Sequence, residues 1–333
     1  MAEVTFEYIA GKIEAVKGVA ETAPDHLLAL KGTITPKRAV VRSPNVIGSL
    51  AGARKTTIVQ KWGDLAASGD LDIRGLPWLA NMVLKPVSAP TTPTSAILAR
   101  LWTFNRSIRT NDLKSATWWY GDPNQQFWMG KYGMINELTF GSTPTGTDLA
   151  RMGISGRTHF PTQEATPAQP IQDLGESILP GWVQVWMDTS APMGTTEIMG
   201  RVLNADHTIP TGVTYKYPGQ GPASGLNYFR IGRMPTSPTT RLSLDMVDQV
   251  QYNLYEAGSR VKLRVRHNGP LIENIGGTLF YNYVQVDTWG TLDDLAWGNY
   301  EGNRTLDLTL TSEEDATAGT DFILYVQGPF ATL

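Results

Sequence analysis

The residues able to do chemistry are few and scattered. There is no cysteine, which removes disulfides, thiolate nucleophiles and cysteine-ligated zinc or iron–sulfur centres. His26, His159, His207 and His267 include no pair at the i, i+4 spacing that turns two imidazoles of one helix toward a metal. His207 follows Asp206, and adjacent strand residues point to opposite faces, so it reads as an ordinary surface residue. Asp70 with Asp72, Asp293 with Asp294, and Glu313-Glu314-Asp315 have the composition of an acid/base pair. Their loop-like surroundings fit turn formation and solvation better. The glycines of 217–225 lack the Lys-Ser/Thr partner of a phosphate loop and read as a hairpin tip. The residues therefore predict no catalytic group, metal or cofactor.

Aromatic residues offer a different chemistry. Trp118-Trp119-Tyr120, Phe127-Trp128, and Trp182 with Trp186 would suit a sugar-stacking platform, but they equally suit a sheet core or a subunit interface.

The most pointed pattern is Arg260-Val-Lys-Leu-Arg-Val-Arg266. Alternation sets Arg260, Lys262, Arg264 and Arg266 on one face and Val261, Leu263 and Val265 on the other. Same-face cations about 7 Å apart repel and call for an anionic counterpart. Three remain open: a solvated edge, the acidic C-terminal region of the same or a neighbouring subunit, and nucleic acid. From His267 to Leu333 ten acids, Asp293 and Asp294 among them, face one base, Arg304, although the chain's net charge is only −3. Such asymmetry suits head-to-tail self-association, so Arg260, Lys262, Arg264, Arg266, Asp293 and Asp294 are the expected inter-subunit contacts.

The elements that would position these groups are mostly strands. Of 333 residues, 41% are hydrophobic and 18% charged, enough for one large or two moderate domains. No apolar run approaches a membrane span, and residues 1–13 show no secretory signal. Runs with a period of two predict strands at 39–42, 56–60, 99–104, 116–120, 133–140, 182–187, 197–205, 260–266, 278–286, 304–311 and 321–327. Two short helices interrupt them. One spans Leu76 to Leu84, with Pro77 in its first turn. The other is capped by Asp245, turns Val247, Val250 and Leu254 to one face, and stops at Gly258. Both follow a similar strand end, Gly69-Asp-Leu-Asp-Ile73 and Arg241-Leu-Ser-Leu-Asp-Met246, which leaves duplication and chance both open. Composition divides the chain into an N-terminal arm (1–34), a first β-rich half (35–160), a Pro-rich linker (161–180) and a second β-rich half (181–333).

Several segments, taken in order, resemble bacteriophage tail tube (major tail) proteins of long, non-contractile tails. They are Gly11-Lys-Ile-Glu-Ala-Val-Lys-Gly-Val-Ala-Glu-Thr22, Ser68-Gly-Asp-Leu-Asp-Ile73, Ala116-Thr-Trp-Trp-Tyr-Gly-Asp122, and Trp186-Met-Asp188 leading to Gly200-Arg-Val-Leu-Asn-Ala205. The resemblance implies a mainly β, sandwich- or barrel-like fold with one or two flanking helices, made in a bacterial cytoplasm and carried in the virion tail. It also implies rings, usually of six subunits, stacked as a tube around a tape measure protein and joined to tail terminator and distal tail proteins. DNA would pass through the lumen without specific binding. The chain is longer than the simplest such proteins, so either loops and arms are extended or two tube-type halves lie in tandem, three chains then making a ring. A virion-associated β-sandwich module that binds carbohydrate or host through Trp119, Trp128 or Trp186 is the competing expectation.

Overall fold

A computed structural model describes residues 7–43, 55–122, 126–144, 149–168, 175–217 and 226–333. Among them the chain runs β1 (Tyr8–Ile13), β2 (His26–Leu28), β3 (Leu30–Ser43), β4 (Lys55–Asp70), α1 (Gly75–Val83), β5 (Arg100–Asn105), β6 (Ala116–Asp122), β7 (Gln126–Ser142), β8 (Arg151–Thr158) and β9 (Thr162–Glu164). It continues through β10 (Val183–Asp188), β11 (Val202–Pro210), β12 (Val213–Lys216), β13 (Arg230–Arg233), β14 (Thr239–Asp245), α2 (Val250–Glu256), β15 (Arg260–Ile275), β16 (Thr278–Tyr300), β17 (Asn303–Ser312) and β18 (Phe322–Gly328). The expected mainly β class is what the chain adopts: all pairings between these strands are antiparallel, and all but β12 and β13 join one hydrogen-bonded network, consistent with a β-sandwich-like fold.

Turn chemistry fixes two of the long hairpins. Gly276 and Gly277, both at positive φ, join β15 to β16. Glu301 and Gly302, also both positive, join β16 to β17. Two-residue loops of this hand match the twist of the strands they connect.

The pairing order repeats within the chain. The first unit runs β2-β1-β6-β7-β8-β4-β3 across the sheet. In the second, a short stretch that bonds β10 through Thr196 and Ile198 stands where β2 does, followed by β10-β15-β16-β17-β14-β11. Chain order agrees as well, with each helix between the fourth and fifth of these pieces. The terminal pieces β9 and β18 pair with β7 and β16 respectively. One irregularity coincides: the β7–β8 ladder shifts between Ile135 and Glu137, the β16–β17 ladder between Leu292 and Asp294. Duplication, undecided from sequence, is thus present at the level of topology.

Two strand pairs cross between the units, β7 with β11 and β5 with β18. Each unit also inserts a segment that covers the other. Residues 84–115 carry β5 to β18. Residues 211–238 carry β12, β13 and Tyr228, whose ring packs with Leu113, Tyr132 and Met134. The buried Arg106 guanidinium ties the insertions together, pairing with Asp321 and donating to the Thr236 carbonyl at 2.5 Å. The arm expected at 1–34 is, from Tyr8 onward, part of the sheet: β1 lies between β2 and β6, and Leu28 and Leu30 are in the core. Of the linker expected at 161–180, residues 169–174 lie outside the described residues; Ile178 is buried in the larger core, to which both units contribute.

The helices differ in burial. In α1, Leu76, Leu79, Met82 and Val83 are buried, and the Asp72 carboxylate accepts the Arg74 and Gly75 N–H groups at its start. Trp78 of α1 stands edge-on to Trp118 at 5.4 Å and leaves no room for a Cβ at Gly11. The second helix begins five residues later than its expected cap. Asp245 completes β14 opposite Thr305, and the Asp248 side chain accepts the Val250 N–H instead. Val247 and Val250 are exposed, while Leu254 packs on the second core, so the expected apolar face is only partly used. The strand expected at 197–205 is broken at Gly200, where φ is 66°.

Candidate self-association surface

The cation row lies on β15 between β10 and β16, an interior strand, which sets aside the solvated-edge reading. Alternation holds: Val261, Leu263 and Val265 are wholly buried in the second core. The counter-charge comes from the acidic C-terminal region of the same chain. Arg264 grips Asp287 with two bonds, Nε at 2.7 Å and Nη2 at 2.6 Å, and this pairing raises its pKa. Arg260 donates to the Glu314 carbonyl at 2.8 Å and lies within 4 Å of the Glu313 and Asp315 carboxylates. Arg266 bonds the Gln285 side chain at 2.8 Å and sits over the rings of Tyr283 and Trp186; Lys262 reaches the Ala191 carbonyl at 3.0 Å.

Asp293 and Asp294 are not brought to this row. They lie on β16 just past Thr291, the partner of Arg260 at the start of β15, and both are exposed. From Asp293 to Tyr300, β16 pairs with β17 along one side; no described strand occupies the other. Trp297 in this stretch is 49% exposed.

A second such edge belongs to β3, which among the described strands pairs with β4 alone. Its outer part is exposed at Thr35, Pro36, Lys37 and Arg38, and none of Lys37, Arg38, Asp293 or Asp294 forms an ion pair with a described residue. Pro36 has no N–H to give, a property that confines proline to edges.

The corresponding edges of the partner units are joined inside the chain. β11, the counterpart of β3, lies along β7, the counterpart of β16, from Ala205 opposite Ser142 to Pro210 opposite Glu137. The Thr211 N–H extends the ladder to the Asn136 carbonyl at 2.8 Å. Phe140 in this joint is 3% exposed and packs on His207, ring centres 4.9 Å apart. Against the surface reading of the sequence, His207 is buried in a chain of hydrogen bonds, Thr240 to His207 to His267 to Ser142, at 3.0, 3.1 and 2.8 Å. Burial, and for His207 its neighbour His267, depresses both pKa values, that of His267 to about 4, so both rings are neutral. No signal local to either histidine gives this contact, since they are 60 residues apart; it follows from the β7–β11 joint.

Ser142 beside His267 is a nucleophile–base pair by type, but both are buried and the far nitrogen of His267 faces His207 rather than an orienting carboxylate. Among the described residues no cluster of three metal-ligating side chains occurs, and no helix is long and apolar enough to cross a membrane. Of the tryptophans considered for sugar stacking, Trp119 is buried and Trp186 lies beneath Arg266. The sequence matches no protein-family model and no curated protein.

Proposed function

We propose that the protein is a structural, non-enzymatic subunit of a phage tail tube, which associates with itself in rings stacked around a tape measure protein and a DNA conduit, capped by terminator and distal tail proteins. The observation that carries this reading is the repeat. Two units of one topology sit side by side, joined by an edge-to-edge strand pair, and no described strand pairs with the two outermost edges of the same kind. Head-to-tail contacts of this sort generate rings or filaments, and they remove the aggregation hazard of open sheet edges. With two units per chain, three chains make the six-fold-like ring that the sequence resemblance implies. Neutralisation of Arg260 and Arg264 by acids of the same chain leaves this row poorly suited to gripping phosphate, as a conduit requires. Gold-labelled antibody against the protein, applied to virions of its phage, should decorate the tail shaft along its length. Label confined to capsid or fibres, or absent from tails, contradicts the reading.

A further inference from the structure

The in-chain joint also specifies a joint between chains. The ladders β3–β4–β8–β7 and β11–β14–β17–β16 correspond in register. Glu137 and Asp294 each follow the ladder shift and pair with Ser155 and Thr309, so they correspond; so do Gly141 and Gly298, opposite Arg151 and Thr305. Ser68 and Ser243 correspond through Gly153 and Asp307, which places Lys31 of β3 at the position of Asn204 of β11.

Resting on the self-association reading above, we infer that β3 of one chain pairs antiparallel with residues 293–299 of β16 in the next, in the register that β11 keeps with β7. Pro210 opposite Glu137 then becomes Lys37 opposite Asp294, and Thr211 at Asn136 becomes Arg38 at Asp293. Two exposed cations meet two exposed acids, although the in-chain joint used to set the register contains no such pairs. His207 opposite Phe140 becomes Ile34 opposite Trp297. This accounts for the burial difference between counterparts: Phe140 is 3% and Trp297 49% exposed, because the strand that covers the first is in the chain and the strand that would cover the second is not. Pro36, at the position of Ile209, leaves one rung of the new ladder unmade, so the contact is weaker than its in-chain counterpart and depends on the charges at its end.

The test is a full-length Thr35→Cys, Ala296→Cys double variant, these residues standing where Thr208 opposes Thr139. The native chain has no cysteine, so any disulfide reports this pair. Mild oxidation of concentrated protein should give dimer and trimer bands on a non-reducing gel, absent from either single variant. Self-association without such bands overturns the proposed joint and leaves the tube reading standing; a wild-type chain that stays monomeric at every concentration overturns both.

Discussion

His207 on β11 and His267 on β15 meet Nε2 to Nε2 at 3.1 Å, with Thr240 and Ser142 at the outer nitrogens. One ring must donate and the other accept, so the chain is satisfied when both imidazoles carry a single proton. A second proton on the accepting ring would set two N–H groups against each other in a dry site.

Acid should therefore unfold the protein. An exposed imidazole titrates near 6.5, whereas burial holds His267 and His159 at about 4 and His26 at about 3. Between these values the unfolded chain takes up protons that the folded chain refuses, so stability falls as pH falls from 6.5 toward 4. At pH 5 the loss is about 2 kcal/mol for each buried ring. Urea midpoints at pH 7 and pH 5 check this, and His267→Asn should shrink the difference by that ring's share, about 2 kcal/mol.

Substitution at Gly141 should strike the joint between units. A Cβ there would lie 2.5 Å from the Ala205 carbonyl oxygen on β11, which is backbone and cannot turn aside. Gly141→Val is expected to cost about 2–3 kcal/mol by overpacking and to speed hydrogen exchange along β7 and β11 before the rest of the sheet.

Arg106 should behave as a buried ion whose loss strands its partner. Arg106→Met leaves the Asp321 carboxylate without its cation and is expected to cost about 3–5 kcal/mol. Arg106→Met with Asp321→Leu should recover much of that loss in thermal unfolding, because no unpaired charge then remains.

The proposed joint between chains makes its own electrostatic prediction. Lys37→Glu with Arg38→Glu should raise the concentration for half-assembly about tenfold. Adding Asp293→Lys and Asp294→Lys to the same chain should bring it back, and raised salt should weaken the wild type.

The mainly β class, most of the strands and α1 were legible from the sequence because each is a local pattern: alternation of two, or a helical stretch opened by Pro77 and closed before Pro86. The cation row was legible for the same reason, but its counter-charge was not. Asp287 reaches Arg264 through the β15–β16 ladder, and whether an acid 23 residues away lies in the same or another chain is a question of register, not of composition. Arg264→Glu should thus destabilise the fold itself by setting a carboxylate against Asp287, not assembly alone. The repeat stayed undecided in the sequence because its matched positions share roles rather than identities: Glu137 with Asp294, Phe140 with Trp297. Gly133 with Gly141 and Gly290 with Gly298, eight residues apart in both units, were the available signal. The arm reading missed β1 for a related reason: β6, its longer mate, is about a hundred residues away in sequence, so the pairing leaves no local signal.

Electron microscopy of the concentrated, purified protein bears most directly on the central claim that these chains complete their sheets with one another. The account predicts hollow rings or tubes of uniform width in which three chains contribute six similar units per turn. Isolated compact particles under all conditions, or aggregates without a bore, would contradict it.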